Sequence, residues 1–395
     1  MTLTDYLAIG AILVAIPATW AGWSMWRTSK RSGGRDRFRD QLRSLRDNQR
    51  DLTRRMLAVS PEHLKQPDLP VLAKPEWASL APFDLADVKI EWLDEQLDDI
   101  AKFRRQSSKV LAKMQIAPIT RYSTALIEII GLTRLFDGVI YRLIEVELTE
   151  DTKRMVFAKA SYFADLDTSE VLAFEAQTSR RRPYRRRLRD PFDFRKRVAG
   201  LGIDTLTIRR NGDQAGFFLH QRDPTNVVNN ASMIGLIPAG EFTPSDVSSE
   251  AVFRDLSLWR NIMREYAEEM LGVPDAQGQG GRWIDYASES PYRELEMARV
   301  TGKLQVKILG LGIDPLPWKT ELLTVCVIDA EVFDEVFAPV PARNEEGTVI
   351  AGDHRTGLPF DEATVERYCR AHNVSPNTEA CLRLAWQHRA ALGLG

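Results

Sequence analysis

The chain is poor in the residues that build redox and zinc sites. Its three cysteines, Cys326, Cys369 and Cys381, match no metal spacing and cannot all pair. They read as buried small apolar residues of a reducing compartment. The five histidines form no i,i+4 pair, which disfavours zinc. No G-x-S-x-G elbow is present, and His220, His354, His372 and His388 show no triad pattern. Gln277 to Gly281 is glycine-rich but lacks the Lys-Ser/Thr ending of a phosphate loop. Internal repeats are absent. Net charge is nearly absent too: a formal −2 argues against a nucleic-acid packer. No compact basic recognition helix follows a tight turn, so nucleic acid is disfavoured as a partner. What remains is an ordinary globular composition, 44% hydrophobic over 395 residues, enough for two to three domains.

One long apolar run is present. Tyr6 to Trp26 carries no charge over 21 residues, enough for a helix across ~30 Å of hydrocarbon. Trp20, Trp23 and Trp26 cluster at its far end, and Pro17 is tolerated within a span. No Lys or Arg precedes it, whereas Arg27, Lys30, Arg31, Arg35, Arg37 and Arg39 follow, the reverse of a signal peptide. The expectation is a single-pass anchor in the cell membrane over 1–27, N-terminus outside, body cytoplasmic. Cleavage near Ala15 to Ala18 is the alternative.

Residues 28–82 read as a basic juxtamembrane helix and a proline-rich linker. Arg35 to Leu57 carries Phe38, Leu42, Leu45, Leu52 and Met56 at three- and four-residue spacing, broken by Gln49. A short coiled coil would bury that stripe and make a homodimer through residues 35–57. A helix lying on anionic headgroups fits equally. Pro61, Pro67, Pro70, Pro75 and Pro82 mark an extended spacer.

Residues 83–190 read as an α+β region. A helical pattern over 83–114 uses Val88, Ile90, Trp92, Leu93, Leu97 and Ile100. Tyr141 to Leu148 alternates like a strand and pairs with Met155 to Tyr162 across a polar turn. Asp165, Asp167, Ser169 and Glu170 cluster, as helix caps or as ligands. Seven arginines then fall in ten residues, Arg180 to Arg189. Such a block grips phosphate or sits solvated, and within it Arg185, Arg186 and Arg187 are candidate ligand-phosphate contacts.

Residues 191–395 alternate strands and helices. Thr205 to Arg210 and Gly216 to His220 flank Asn211-Gly212, a hairpin signal. Further strands are expected at Ser232 to Leu236, Lys303 to Gly310 and Thr320 to Asp329. Helices are expected at Pro291 to Thr301, Ala330 to Phe337, 361–371 and 376–392. At the centre stands Arg264-Glu265-Tyr266-Ala267-Glu268-Glu269-Met270-Leu271-Gly272-Val273. On a helix its three glutamates share one face, while Trp259, Ile262, Met263, Tyr266 and Met270 form an apolar one. Clustered carboxylates suit a hard cation, or pair with neighbouring arginines on a solvated face.

That segment resembles the helical half of the box that marks the Nudix hydrolase superfamily, in degenerate form, with Ile237-Pro238-Ala239-Gly240-Glu241 as the upstream glycine turn. Two departures stand out. Two residues, Met270 and Leu271, separate Glu269 from Gly272 where the family has one. Leu256, beside Asp255, occupies the place of the family's upstream glutamate. The resemblance implies an α/β (α+β) Nudix-like sandwich behind the α+β region and the membrane helix. It also implies Mg²⁺ or Mn²⁺ on Glu265, Glu268 and Glu269, with Arg264 orienting them and Glu241 as a conditional further ligand. Arg185, Arg186, Arg187 and Lys303 would meet ligand phosphates. The implied activity is metal-dependent hydrolysis of a nucleoside-diphosphate-linked compound. The alternatives are a degenerate nucleotide-binding sensor or effector in membrane signalling or defence, and a scaffold without ligand.

Overall fold

The computed structural model describes residues 33–395 except 79–80, 95–97, 134, 223–232, 278–279, 338–346 and 351–355. The expected span Tyr6–Trp26 lies outside them, as does most of the loop 343–354. The strands, in chain order, are β1 Phe83–Asp84, β2 Lys89–Trp92, β3 Val139–Leu148, β4 Lys153–Ser161, β5 Leu201–Asn211, β6 Gln214–Phe217, β7 Leu219–Arg222, β8 Ile234–Leu236, β9 Ala239–Glu241, β10 Leu304–Ile313, β11 Thr320–Asp329, β12 Gly347–Ile350 and β13 Leu358–Pro359. A seven-stranded sheet runs β1-β10-β11-β5-β6-β13, with β9 on the start of β5. Two three-stranded sheets, β12-β7-β8 and β2-β4-β3, complete the β structure. β11 and β5 are parallel; β11 is almost wholly buried and β5 is buried until its last three residues apart from a half-buried Asp204.

Helices cover both faces of the large sheet. Leu258–Glu265, its π-helical continuation Tyr266–Met270 and Ala330–Val336 pack on the face of Ile203 and Leu322. Pro376–Gln387 packs on the other, over Leu206, Leu323 and Val325. This corrects the expected fold class. The described body is mixed α/β with three sheets, and among the described residues no helix is long and apolar enough to cross a membrane. A membrane span is no part of the described architecture.

Three further expectations change. Among the described residues the 83–114 stretch is α-helical over Asp98–Ala112, with a short 3-10 turn at Leu85–Asp87; Val88 precedes β2, which holds Ile90 and Trp92. The stripe Phe38, Leu42, Leu45, Leu52 and Met56 does lie on helices, 33–47 and Gln49–Val59, but it is buried on the chain's own core. Phe38 sits 4.9 Å from the Phe174 ring, so that face is already covered without a second copy or a lipid surface. The proline-marked stretch is a strap, not a free spacer. Leu72 exchanges backbone hydrogen bonds with Ile313 at 2.9 and 2.8 Å, and Val71, Leu72 and Trp77 are buried. One core runs from Phe38 to Phe337, so no core boundary falls at 190. Because Trp77 is 1% exposed and edge-on to Phe192 at 5.1 Å, Trp77→Ala is expected to cost about 3–5 kcal/mol. A urea midpoint measures it; a loss below about 1 kcal/mol would restore the spacer reading.

Candidate functional site

The acidic helix begins at Ser257, whose hydroxyl accepts from the Arg260 amide. Its last turn, Tyr266–Met270, is π-helical. A π turn closes i→i+5, one residue wider than an α turn. Gly272, at φ +70°, then ends the helix in the left-handed region. Tyr266 anchors the turn to the sheet through its hydroxyl, 2.8 Å from Thr207 Oγ1.

The glycine turn does fold back onto this helix despite the intervening insert. A Cβ on Gly240 would overlap the Glu265 carboxylate, so the strand backbone reaches the helix only because residue 240 has no side chain. Glu269 is buried and its Oε2 accepts from the Ala239 amide at 3.1 Å. Glu265 accepts from Asn261 Nδ2 at 3.4 Å, and both Glu265 and Glu268 are half-buried. The three predicted carboxylates therefore divide. Glu269 is bound into the fold, and Glu265 and Glu268 line the partly open side.

Arg264 is tied mainly to other groups. Its guanidinium is buried, donating to Tyr286 Oη at 2.6 Å, to Asn261 Oδ1 at 3.0 Å and to the Thr243 carbonyl. Asp255 lies 3.9 Å away and also takes Arg254 at 3.0 Å. A carboxylate thus reaches the arginine from the position next to Leu256. Burial and the nearby Asp255 push the Tyr286 phenol up to about 12, so it stays a neutral donor to Asp255 Oδ1 at 3.2 Å.

Glu241 is not a further ligand on this helix. Side chains alternate along β9, so Glu241 points to the opposite face from Gly240. There it lies in register with Gly202 and Glu321 and pairs with Lys319. Asp165, Glu170 and Asp204 complete a group of carboxylates that act on Lys319 and Glu321. Asp165 Oδ1 accepts from the Gly200 amide at 3.0 Å. Asp167 accepts from the Ser123 amide at 2.9 Å and pairs with Arg104 at 3.0 Å. Ser169 donates to the Val198 carbonyl. The Asp165–Glu170 cluster is therefore neither a helix cap nor a solvent-facing site; it stitches elements together. Burial opposes the Lys319 charge, but Glu241, Glu321 and their neighbours outweigh it and hold the ammonium well above its usual range. Burial, then Asp204, raises the Glu321 carboxyl well above the carboxylate range. Sequence reading missed Lys319, Glu321 and Asp204. The one local signal was a glutamate near the start of the apolar run Thr320–Asp329.

Burial, then Glu241, raises Asp165 from 3.8 to about 6, and burial raises Asp314 to about 6. Both groups hold their protons more tightly folded than unfolded. Their contribution is thus fully present below about pH 4 and lost as pH rises through 6. Each loses at most about 3 kcal/mol over that window. Asp165→Asn keeps an acceptor for Gly200 and is expected to flatten stability against pH between 4 and 6. Chemical denaturation at successive pH values checks it, and an unchanged slope contradicts it.

The predicted phosphate contacts do not converge. Arg185 donates to the carbonyls of Pro315 (2.8 Å) and Leu316 and lies over the Trp318 ring at 4.6 Å. Burial lowers it to about 9. Arg186 and Arg187 are exposed. Lys303 pairs with Glu331 at 3.0 Å, at the other end of β10, roughly 30 Å of strand from the loop that Arg185 holds. A cleft of about 710 Å³ lies along the acidic helix. It is lined by Trp259, Met263, Tyr286 and Leu304 and includes none of the three glutamates.

Among the described residues no three carboxylate, imidazole or thiolate groups gather as a metal site needs. In the buried carboxylate group, Lys319 supplies the counter-charge. No known protein family matches the chain, and no curated protein matches it.

Proposed function

We propose that the partly open side of the acidic helix, with the Ala239–Gly240 turn, binds the diphosphate of a nucleoside-diphosphate-linked ligand through Mg²⁺ or Mn²⁺, and that binding, not hydrolysis, is its output. The resemblance to the Nudix box supplies the ligand class. The observation that supports a site is the seating of Gly240 directly on Glu265. Magnesium is commonly held by one or two carboxylates plus substrate phosphates, so Glu265 and Glu268 suffice with a diphosphate present. A bound cation would neutralise the phosphate oxygens. The observation that favours binding is that Glu269 is buried and engaged with the Ala239 amide, while Glu265 and Glu268 are half-buried.

The test is thermal shift and product release with ADP and a panel of nucleoside-diphosphate sugars, with and without Mg²⁺ or Mn²⁺. A cation-dependent shift without turnover is expected for the wild type and absent in Glu265→Gln. Turnover abolished by that change would make the protein a hydrolase. No shift with any compound would leave the helix a structural element.

A further inference from the structure

A second groove lies where the N-terminal helices dock. The stripe from Phe38 to Met56 faces inward, and on helix Gln49–Val59 Arg50 is tied to Glu379 and the Val374 carbonyl, whereas Arg54 and Arg55 are exposed. The end of helix Val171–Thr178 meets the N-terminal helices there. Gln177 Nε2 donates to Ser44 Oγ at 2.8 Å, and Arg182 Nη1 lies 3.4 Å from Met56 Sδ. A groove of about 500 Å³ runs between the two elements. Ser44, Asn48 and Arg55 line one wall; Gln177, Thr178 and Arg180 line the other.

The charge here is not balanced. Elsewhere Arg154 meets Glu91 and Glu145, Arg209 meets Asp334, and Arg210 meets Asp329. Arg55 and Arg180, and the exposed Arg54 and Arg181 beside them in sequence, have no ion pair among the described residues. Arg55 makes one bond, from Nε to the Asp51 carbonyl at 3.2 Å, which leaves its terminal nitrogens to point elsewhere. Like charges on facing walls repel unless an anion lies between them. Guanidinium forks match phosphate oxygens in geometry and charge.

We propose that this groove binds a phosphate mono- or diester, with Arg55 and Arg180 as its principal contacts. The phosphate comes either from an anionic lipid headgroup or from a small soluble phosphate. The site shares no residue with the acidic helix, so it stands or falls separately from the diphosphate reading.

The experiment uses the full chain in mild detergent. One arm titrates inorganic phosphate by calorimetry. The other measures capture by lipid nanodiscs of phosphatidylglycerol against phosphatidylcholine. The double variant Arg55→Gln with Arg180→Gln is expected to weaken binding by about tenfold or more. Arg55→Lys with Arg180→Lys should retain part of it, and Glu265→Gln should leave it unchanged. Both arginines are exposed, so an unchanged melting temperature certifies the fold. A phosphatidylglycerol preference lost in the variant supports the site with lipid as source. Saturable phosphate binding lost in the variant, without lipid preference, supports it with a soluble source. Equal behaviour of wild type and double glutamine variant in both arms overturns the proposal.

Discussion

Lys319→Met is expected to cost about 3–5 kcal/mol of stability, among the largest effects of any single change in this chain. The lysine side chain is about four-fifths buried and is the ammonium that faces Glu241, Glu321, Glu170 and Asp165. Removing it leaves those carboxylates to protonate or repel, and both cost free energy. Adding Glu241→Gln should recover a good part of the loss, because the charge left unmatched is then smaller. Urea unfolding of the single and double variants measures both. A single-variant loss below about 1 kcal/mol would mean that the cluster is open to water and its charges screened.

Arg264→Lys is the second. Resemblance alone makes this arginine a partner of the glutamates. The structure also binds it to Tyr286, Asn261, Thr243 and Asp255. An ammonium cannot reproduce that fork, so even the charge-conserving change strands buried acceptors. A loss of about 2–3 kcal/mol is expected, seen in the denaturation midpoint whether or not ligand is present. If stability held while ligand affinity fell, Arg264 would be acting on the ligand side after all.

These two sites show where sequence reading reached and where it stopped. Thr320–Asp329 was legible as a strand because an apolar run of that length has no other economical home, and the Asn211-Gly212 hairpin because turn chemistry is local. The inward stripe from Phe38 to Met56 was equally legible. Periodicity says that a face is buried, not what buries it, and here the chain's own Phe174 side does. Prolines between 61 and 82 suggested a spacer, yet the apolar Val71, Leu72 and Trp77 among them carry the packing. The 83–114 stretch was misread because Val88, Ile90 and Trp92 alternate, a period-2 signal outweighed by the helical pattern that follows.

The candidate site was half legible. Glu265, Glu268 and Glu269 were found by spacing, and the glycine turn by resemblance. That Glu241 leaves them for Lys319 follows from strand alternation and a pairing 78 residues apart, which no local pattern encodes. Asp255 serving Arg264 depends on the path of the insert between residues 242 and 258, which is equally invisible in the linear order.

The most direct measurement is calorimetric titration of the full chain with ADP and nucleoside-diphosphate sugars in Mg²⁺ and in chelator, for wild type, Glu265→Gln and Glu268→Gln. The account predicts saturable binding in Mg²⁺ only, weakened in each variant while the melting temperature of the ligand-free protein stays the same. Binding that is unchanged by chelator or by both substitutions would place the ligand elsewhere and contradict it.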